Sequence, residues 1–118
     1  MNKPAFVFRT PPHGTASGRE GLDAVLAASA LTDELAVFFI GDGVYQILEG
    51  QDPGAVLTRN YTPTFGLFEL YDIESIYVCA ESLVERGLSV TRLSIAVQAL
   101  SRDKLVARLA DFNVRLSF

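Results

Sequence analysis

Cysteine, histidine and tryptophan are nearly missing from this chain, which has one Cys, one His and no Trp in 118 residues. A single cysteine excludes an internal disulfide framework and points to a reducing compartment. A single histidine excludes a multi-His zinc site. Charge is also sparse: 14 Asp+Glu against 10 Lys+Arg give a net charge of −4. The cations are scattered, with no basic run to neutralise phosphates, so direct nucleic-acid binding is not expected. Long apolar runs are missing too. The stretch Leu35 to Ile40 falls far short of the roughly 20 residues that cross a bilayer. The start of the chain, Met1 to Arg9, lacks the apolar length and small-residue cleavage pattern of a signal peptide, so a cytoplasmic protein is expected.

What is abundant is apolar content, at 49%. High hydrophobicity with low net charge excludes intrinsic disorder, and the length suits one domain over residues 1–118 with one unstapled core. Three short runs are apolar at every position: Ala5 to Phe8, Leu35 to Ile40 and Ile76 to Ala80. Such runs suit strands buried on both faces of a parallel sheet. Between the first two, Ser17 with Glu20 three residues later has the form of a capping box, and Leu22, Val25 and Leu26 recur at helical spacing. Strand, helix, strand makes a βαβ unit with an expected right-handed crossover. Gly41-Asp42-Gly43 reads as a turn, and Gln51 to Gly54 as a surface loop.

Thr62-Pro63 reads as a helix start, leading to Phe65, Leu67, Phe68 and Leu70 as an inward face. Another helix follows Cys79 and stops at Gly87. Leu93 to Val97 reads as a short strand, and Ser101 as the cap of a last helix with Leu105, Val106 and Leu109 facing the core. From Phe112 to Phe118 apolar and polar residues alternate, with Phe112, Val114, Leu116 and Phe118 on one face, which places a strand near the sheet edge. The fold class is three-layer α/β/α with a mostly parallel sheet of about five strands.

Ligands in such sheets gather beyond the carboxyl ends of the strands. There Thr10 to Thr15, Gly41 to Gly43 and Cys79 are expected to converge. Cys79 is the candidate reactive residue, because free N–H groups and the positive dipole end of the helix that follows favour thiolate over thiol. Such a thiolate could accept and pass on sulfur as a persulfide. Against this stand the ordinary role of Cys as a small buried hydrophobe and the negative charge of Glu81 and Glu85 nearby. A Cys79–His13 pair is conceivable, though His13 reads better as a loop residue between Pro12 and Gly14. Gly41-Asp42-Gly43 lacks a phosphate-binding fingerprint, and no metal, nucleotide or triad signature is present, so no cofactor is expected. That absence also counts against a flavodoxin-like small-ligand domain.

Several stretches together carry a resemblance. They are Phe6-Val7-Phe8 with Pro12 to Ala16, Gly18 to Ala24, Ala30 to Ile40, Asp42 to Val44, Leu70 to Glu74, Val78 to Ala80 and Glu85 to Leu88. The chain resembles the DsrE/DsrF-like sulfur-transfer family over most of its length. The resemblance implies a cytoplasmic sulfur relay that supplies sulfur for 2-thiolation of the wobble uridine of certain tRNAs. It also implies assembly with two sister subunits of similar fold as a dimer of heterotrimers, which hands sulfur to a downstream acceptor protein. The sulfur-carrying cysteine belongs to one sister subunit, and Cys79 occupies the corresponding place here. The resemblance thus makes this chain mainly a structural partner, with a stand-alone sulfurtransferase using Cys79 as the alternative.

Overall fold

The computed structural model describes residues 3–11, 16–48 and 65–118. Five strands, β1 (Pro4–Phe8), β2 (Ala36–Phe39), β3 (Ile76–Cys79), β4 (Gln98–Leu100) and β5 (Val114–Ser117), form one sheet in the order β4-β3-β2-β1-β5. Every neighbouring pair is parallel. The three inner strands are the three continuous apolar runs, and every residue of β2 and β3 is buried. The two edge strands are mostly exposed.

Successive strand residues point to opposite faces, so each inner strand contributes to two cores. On one face Phe6, Phe8, Val37, Phe39, Ile76 and Val78 pack with Leu22 and Val25 of helix α1 (Ser17–Ser29). Phe65, Phe68 of helix α2 (Leu67–Leu70) and Leu83 of helix α3 (Ala80–Glu85) complete that core. On the other face Val7, Phe38, Tyr77 and Cys79 lie under Leu105 of helix α4 (Arg102–Leu109) and Phe112. Aromatic contacts lock each layer: Phe8 stacks on Phe39 at 5.1 Å, and Phe38 on Tyr77 at 5.2 Å. Each buried Phe is worth about 1.5–3 kcal/mol of transfer free energy. The expected three-layer architecture is therefore present, with a fully parallel sheet.

Several local expectations are corrected. Ser17 does not cap α1: Ala16 already has helical dihedrals and is the N-cap, and no side chain caps that end. The helix starts a residue early, so Ser17 falls inside the first turn and the reciprocal bond with Glu20 has no geometry to form. The fourth strand is Gln98–Leu100 rather than Leu93 to Val97; Leu93 makes only an isolated antiparallel bridge to Leu48. Leu70 and Val106 are exposed at 73% and 59%, because α2 is a single turn and α4 buries only a narrow stripe around Leu105. Phe112 does not share a face with the rest of the tail: it precedes β5 and packs in the second core, whereas Phe118 packs on the first. The loop at Gln51 to Gly54 and the helix start at Thr62-Pro63 lie outside the described residues.

Candidate functional site

In an all-parallel sheet every strand delivers its last residue to one edge. Here that edge collects Arg9-Thr10, Ile40-Gly41, Cys79-Ala80, Ser101 and Phe118. Gly41 takes the left-handed conformation at φ +58 and opens a 3₁₀ helix, Gly41–Ile47. Gly43 does a different job: a Cβ there would collide with the carbonyl oxygen of Phe8, so only glycine lets this segment lie against the end of β1. The buried Gln46 donates its Nε2 to the Thr10 carbonyl at 2.9 Å and ties the same segment to the chain leaving β1.

Helix α3 is clamped to that segment. The Gly41 N–H donates to Ser82 Oγ at 2.9 Å, and Arg86 donates from Nε and Nη2 to Asp42 Oδ1 at 3.1 and 2.9 Å. Arg86 also reaches the Ser82 carbonyl at 3.1 Å. Gly87 follows at φ +66 in a Schellman ending, with the Leu88 N–H on the Leu83 carbonyl at 2.9 Å. The expected helix stop at Gly87 is thus present. Its preceding Arg86 does more than end a helix.

Cys79 ends β3 and is the N-cap residue of α3, as the run of apolar residues suggested. It is a free thiol and only 1% exposed, on the second core face with Tyr77 and Leu105. The register places it beside Leu100, which brings the start of α4 against it. There the Arg102 N–H donates to both Glu81 carboxylate oxygens at 2.9 Å, and Arg102 Nη2 donates to Glu85 Oε1 at 3.0 Å. The bond to Arg102 N–H, helped by its guanidinium, holds the Glu81 carboxyl below its ordinary value. The Arg102 guanidinium is held above its own, first by the bond to Glu85 and its charge, then by Cys79. The two carboxylates that seemed to oppose a thiolate are therefore both engaged by Arg102. Spacing gave no signal for Arg102; only the β3–β4 register brings it here.

Ser101 caps α4, accepting from the Lys104 N–H at 3.4 Å. An open cavity of about 380 Å³ is lined by Ala80, Glu81, Val84, Glu85 and Arg102. Val84 at its rim is 77% exposed. His13 lies outside the described residues. Among the described residues no group of three or more His, Cys, Asp or Glu side chains could hold a metal ion, and no helix is long and apolar enough to cross a membrane.

This arrangement, a parallel five-stranded sheet with a cysteine at the carboxyl end of an inner strand, coincides with a family match. The DsrE/DsrF-like family model matches residues 2–118, and the chain belongs to that family. Among individual relatives it is similar to Protein TusC of Escherichia coli O157:H7, at 60% identity over 119 residues covering 100% of both chains. Protein TusC of Shigella flexneri and of Klebsiella pneumoniae (strain 342) are 59% and 56% identical over the same span, again with full coverage. The crystal structure of the YchN protein from E. coli matches with a TM-score of 0.81 over all of both chains, at 22% identity, and shares the fold.

Proposed function

We propose that the chain is a TusC-like subunit of a cytoplasmic sulfur relay that supplies sulfur for 2-thiolation of the tRNA wobble uridine. In this reading it forms one domain and assembles with TusB-like and TusD-like subunits as a dimer of heterotrimers. It shapes the complex around the sulfur-carrying sister subunit, and the downstream acceptor protein is reached through that complex. The observation that carries the structural role is the burial of the only cysteine: at 1% exposure its sulfur has no open path to a donor. The cavity at Ala80, Val84 and Arg102, with Val84 projecting from it, supports a subunit contact over that end of the sheet. The net charge of −4 supports a chain that does not hold tRNA itself.

Co-expression with TusB-like and TusD-like chains from the same source tests this. One stoichiometric complex containing all three is expected. A chain that stays monomeric while its partners assemble without it would overturn the reading.

A second reading has one observation in its favour, a free thiol at the N-cap of α3, two residues before the Glu81 carboxylate that the Arg102 N–H engages. There Cys79 attacks the outer sulfur of a donor persulfide; its S–S bond breaks, the donor leaves as a thiolate and Cys79 keeps the sulfur. Intact mass after incubation with a persulfide donor decides it. One added sulfur atom, lost in Cys79→Ser, supports a carrier; no adduct removes it.

A further inference from the structure

The amino ends of the strands form the edge opposite Cys79, and their chemistry is different. The turn from α1 into β2 carries Leu31, 89% exposed, beside Asp33 and Glu34. The turn from α2 into β3 carries Leu70 and Tyr71, 73% and 47% exposed, beside Glu69, Asp72 and Glu74. The two turns meet: Thr32, Asp33, Tyr71, Asp72 and Glu74 all line one cavity of about 470 Å³. Asp72 and Glu74 also line a second recess of about 650 Å³ on their other side, so the turn between them is a ridge.

Neither 29–35 nor 66–76 contains a Lys or Arg, so these five carboxylates outweigh the whole chain's net charge of −4. None of the five takes part in an ion pair among the described residues, where the ion pairs use Asp42, Glu85 and Asp111. Exposed Leu31, Leu70 and Tyr71 on the same two turns as five carboxylates that make no ion pair among the described residues are the complement of a surface that is basic and apolar together.

We propose that this edge is a docking surface for a basic amphipathic segment of a partner protein, with Lys or Arg along the Asp72–Glu74 ridge and apolar side chains on Leu31, Leu70 and Tyr71. A second copy of the chain would set like charges against each other across a two-fold, nucleic acid has the wrong sign, and a bare metal ion would leave the apolar residues unused. The surface is separate from the Cys79 edge and does not depend on the relay.

The test titrates the ¹⁵N-labelled full chain with three synthetic peptides of equal length: an amphipathic Leu/Lys helix, its Leu/Glu counterpart and a Lys/Ser counterpart. The Leu/Lys peptide is expected to shift resonances in 29–35 and 66–76, with the Leu/Glu peptide inert and the Lys/Ser peptide weaker. Leu70→Ser, and separately the pair Glu69→Gln with Asp72→Asn, is expected to weaken it about tenfold, on the scale of losing one anchor. Leu31→Ser serves if Leu70→Ser fails to give a folded spectrum. Shifts centred elsewhere, equal binding of the Lys/Ser peptide, or unchanged affinity in the variants would overturn the proposal. So would self-association of the free chain that Leu70→Ser abolishes, which would make a second copy the occupant.

Discussion

Replacing Gly43 by Ala adds one methyl group at the tightest point of the carboxyl edge. That Cβ meets the carbonyl oxygen and carbon of Phe8 and comes within 3.0 Å of the Arg9 nitrogen. These are backbone atoms of the strand–loop junction and cannot rotate away like a side chain. The Phe8 carbonyl already accepts from the Ile40 N–H at 3.0 Å, and the Ile40 carbonyl accepts from Gly43 N–H at 3.0 Å. Moving the Gly41–Ile47 segment outward therefore strains two backbone bonds and loosens Val44 and Ile47, both fully buried. Overpacking of this kind costs about 1–3 kcal/mol, and a weakened backbone hydrogen bond adds about 1 kcal/mol. A loss of about 3 kcal/mol is expected, against a typical total of about 5–15 kcal/mol. For a domain of this size that lowers Tm by roughly 10 °C. Urea unfolding followed by circular dichroism reads it as a lower midpoint at unchanged m-value. Gly66→Ala is the control, since a Cβ there meets nothing within 4 Å. A Gly43→Ala chain within 0.5 kcal/mol of the unmodified one, a margin typical of surface changes, would refute the close-approach argument.

Asp72 is the only non-glycine at positive φ among the described residues, at φ +59, closing α2 with the Ile73 N–H on the Phe68 carbonyl at 2.8 Å. Asp72→Gly should stabilise the chain by about 1 kcal/mol in denaturant unfolding, the cost of holding a side chain there. Ser101→Ala removes the cap of α4 and should cost about 1 kcal/mol in the same assay. The Glu81 carboxyl is held low in the fold by the Arg102 N–H, so its contribution is present above its unfolded value and lost as pH falls through its folded one. Stability should therefore decline on acidification below about pH 4.3, and Glu81→Gln should decline less steeply across that window.

Much of this fold is legible residue by residue because its inner strands are buried on both faces. A strand such as Ala36–Phe39 must be apolar at every position, and that pattern admits little else over so short a span. Cys79 could be placed for the same reason, as the last member of such a run. Gly87 and Ser101 were readable because a left-handed C-terminal glycine and a serine cap act locally. The edge strand Gln98–Leu100 escapes detection because it is short and mostly exposed, while the more apolar Leu93 is spent on a bridge to Leu48. Ser17 shows that a capping signature states what bonds could form, whereas packing of Gly21 against Phe8 and Phe118 sets where α1 lies. The clamp of Ser82 and Arg86 on Gly41 and Asp42 joins residues about 40 apart, and periodicity carries no such information.

The strand order has a consequence for synthesis. β1 lies between β2 and β5, so the first strand of this sheet in chain order gains its second neighbour only when Val114–Ser117 has been made. Until then the nascent chain carries β1 as an open edge, with Phe6 and Phe8 lacking the ring of Phe118 that packs on them at 6.5 and 5.8 Å. Unpaired apolar edges of this kind are where growing chains associate wrongly. A ribosome stalled before residue 114 should therefore hold a chain that chaperones bind and proteases cut, and release of the remaining residues should end both.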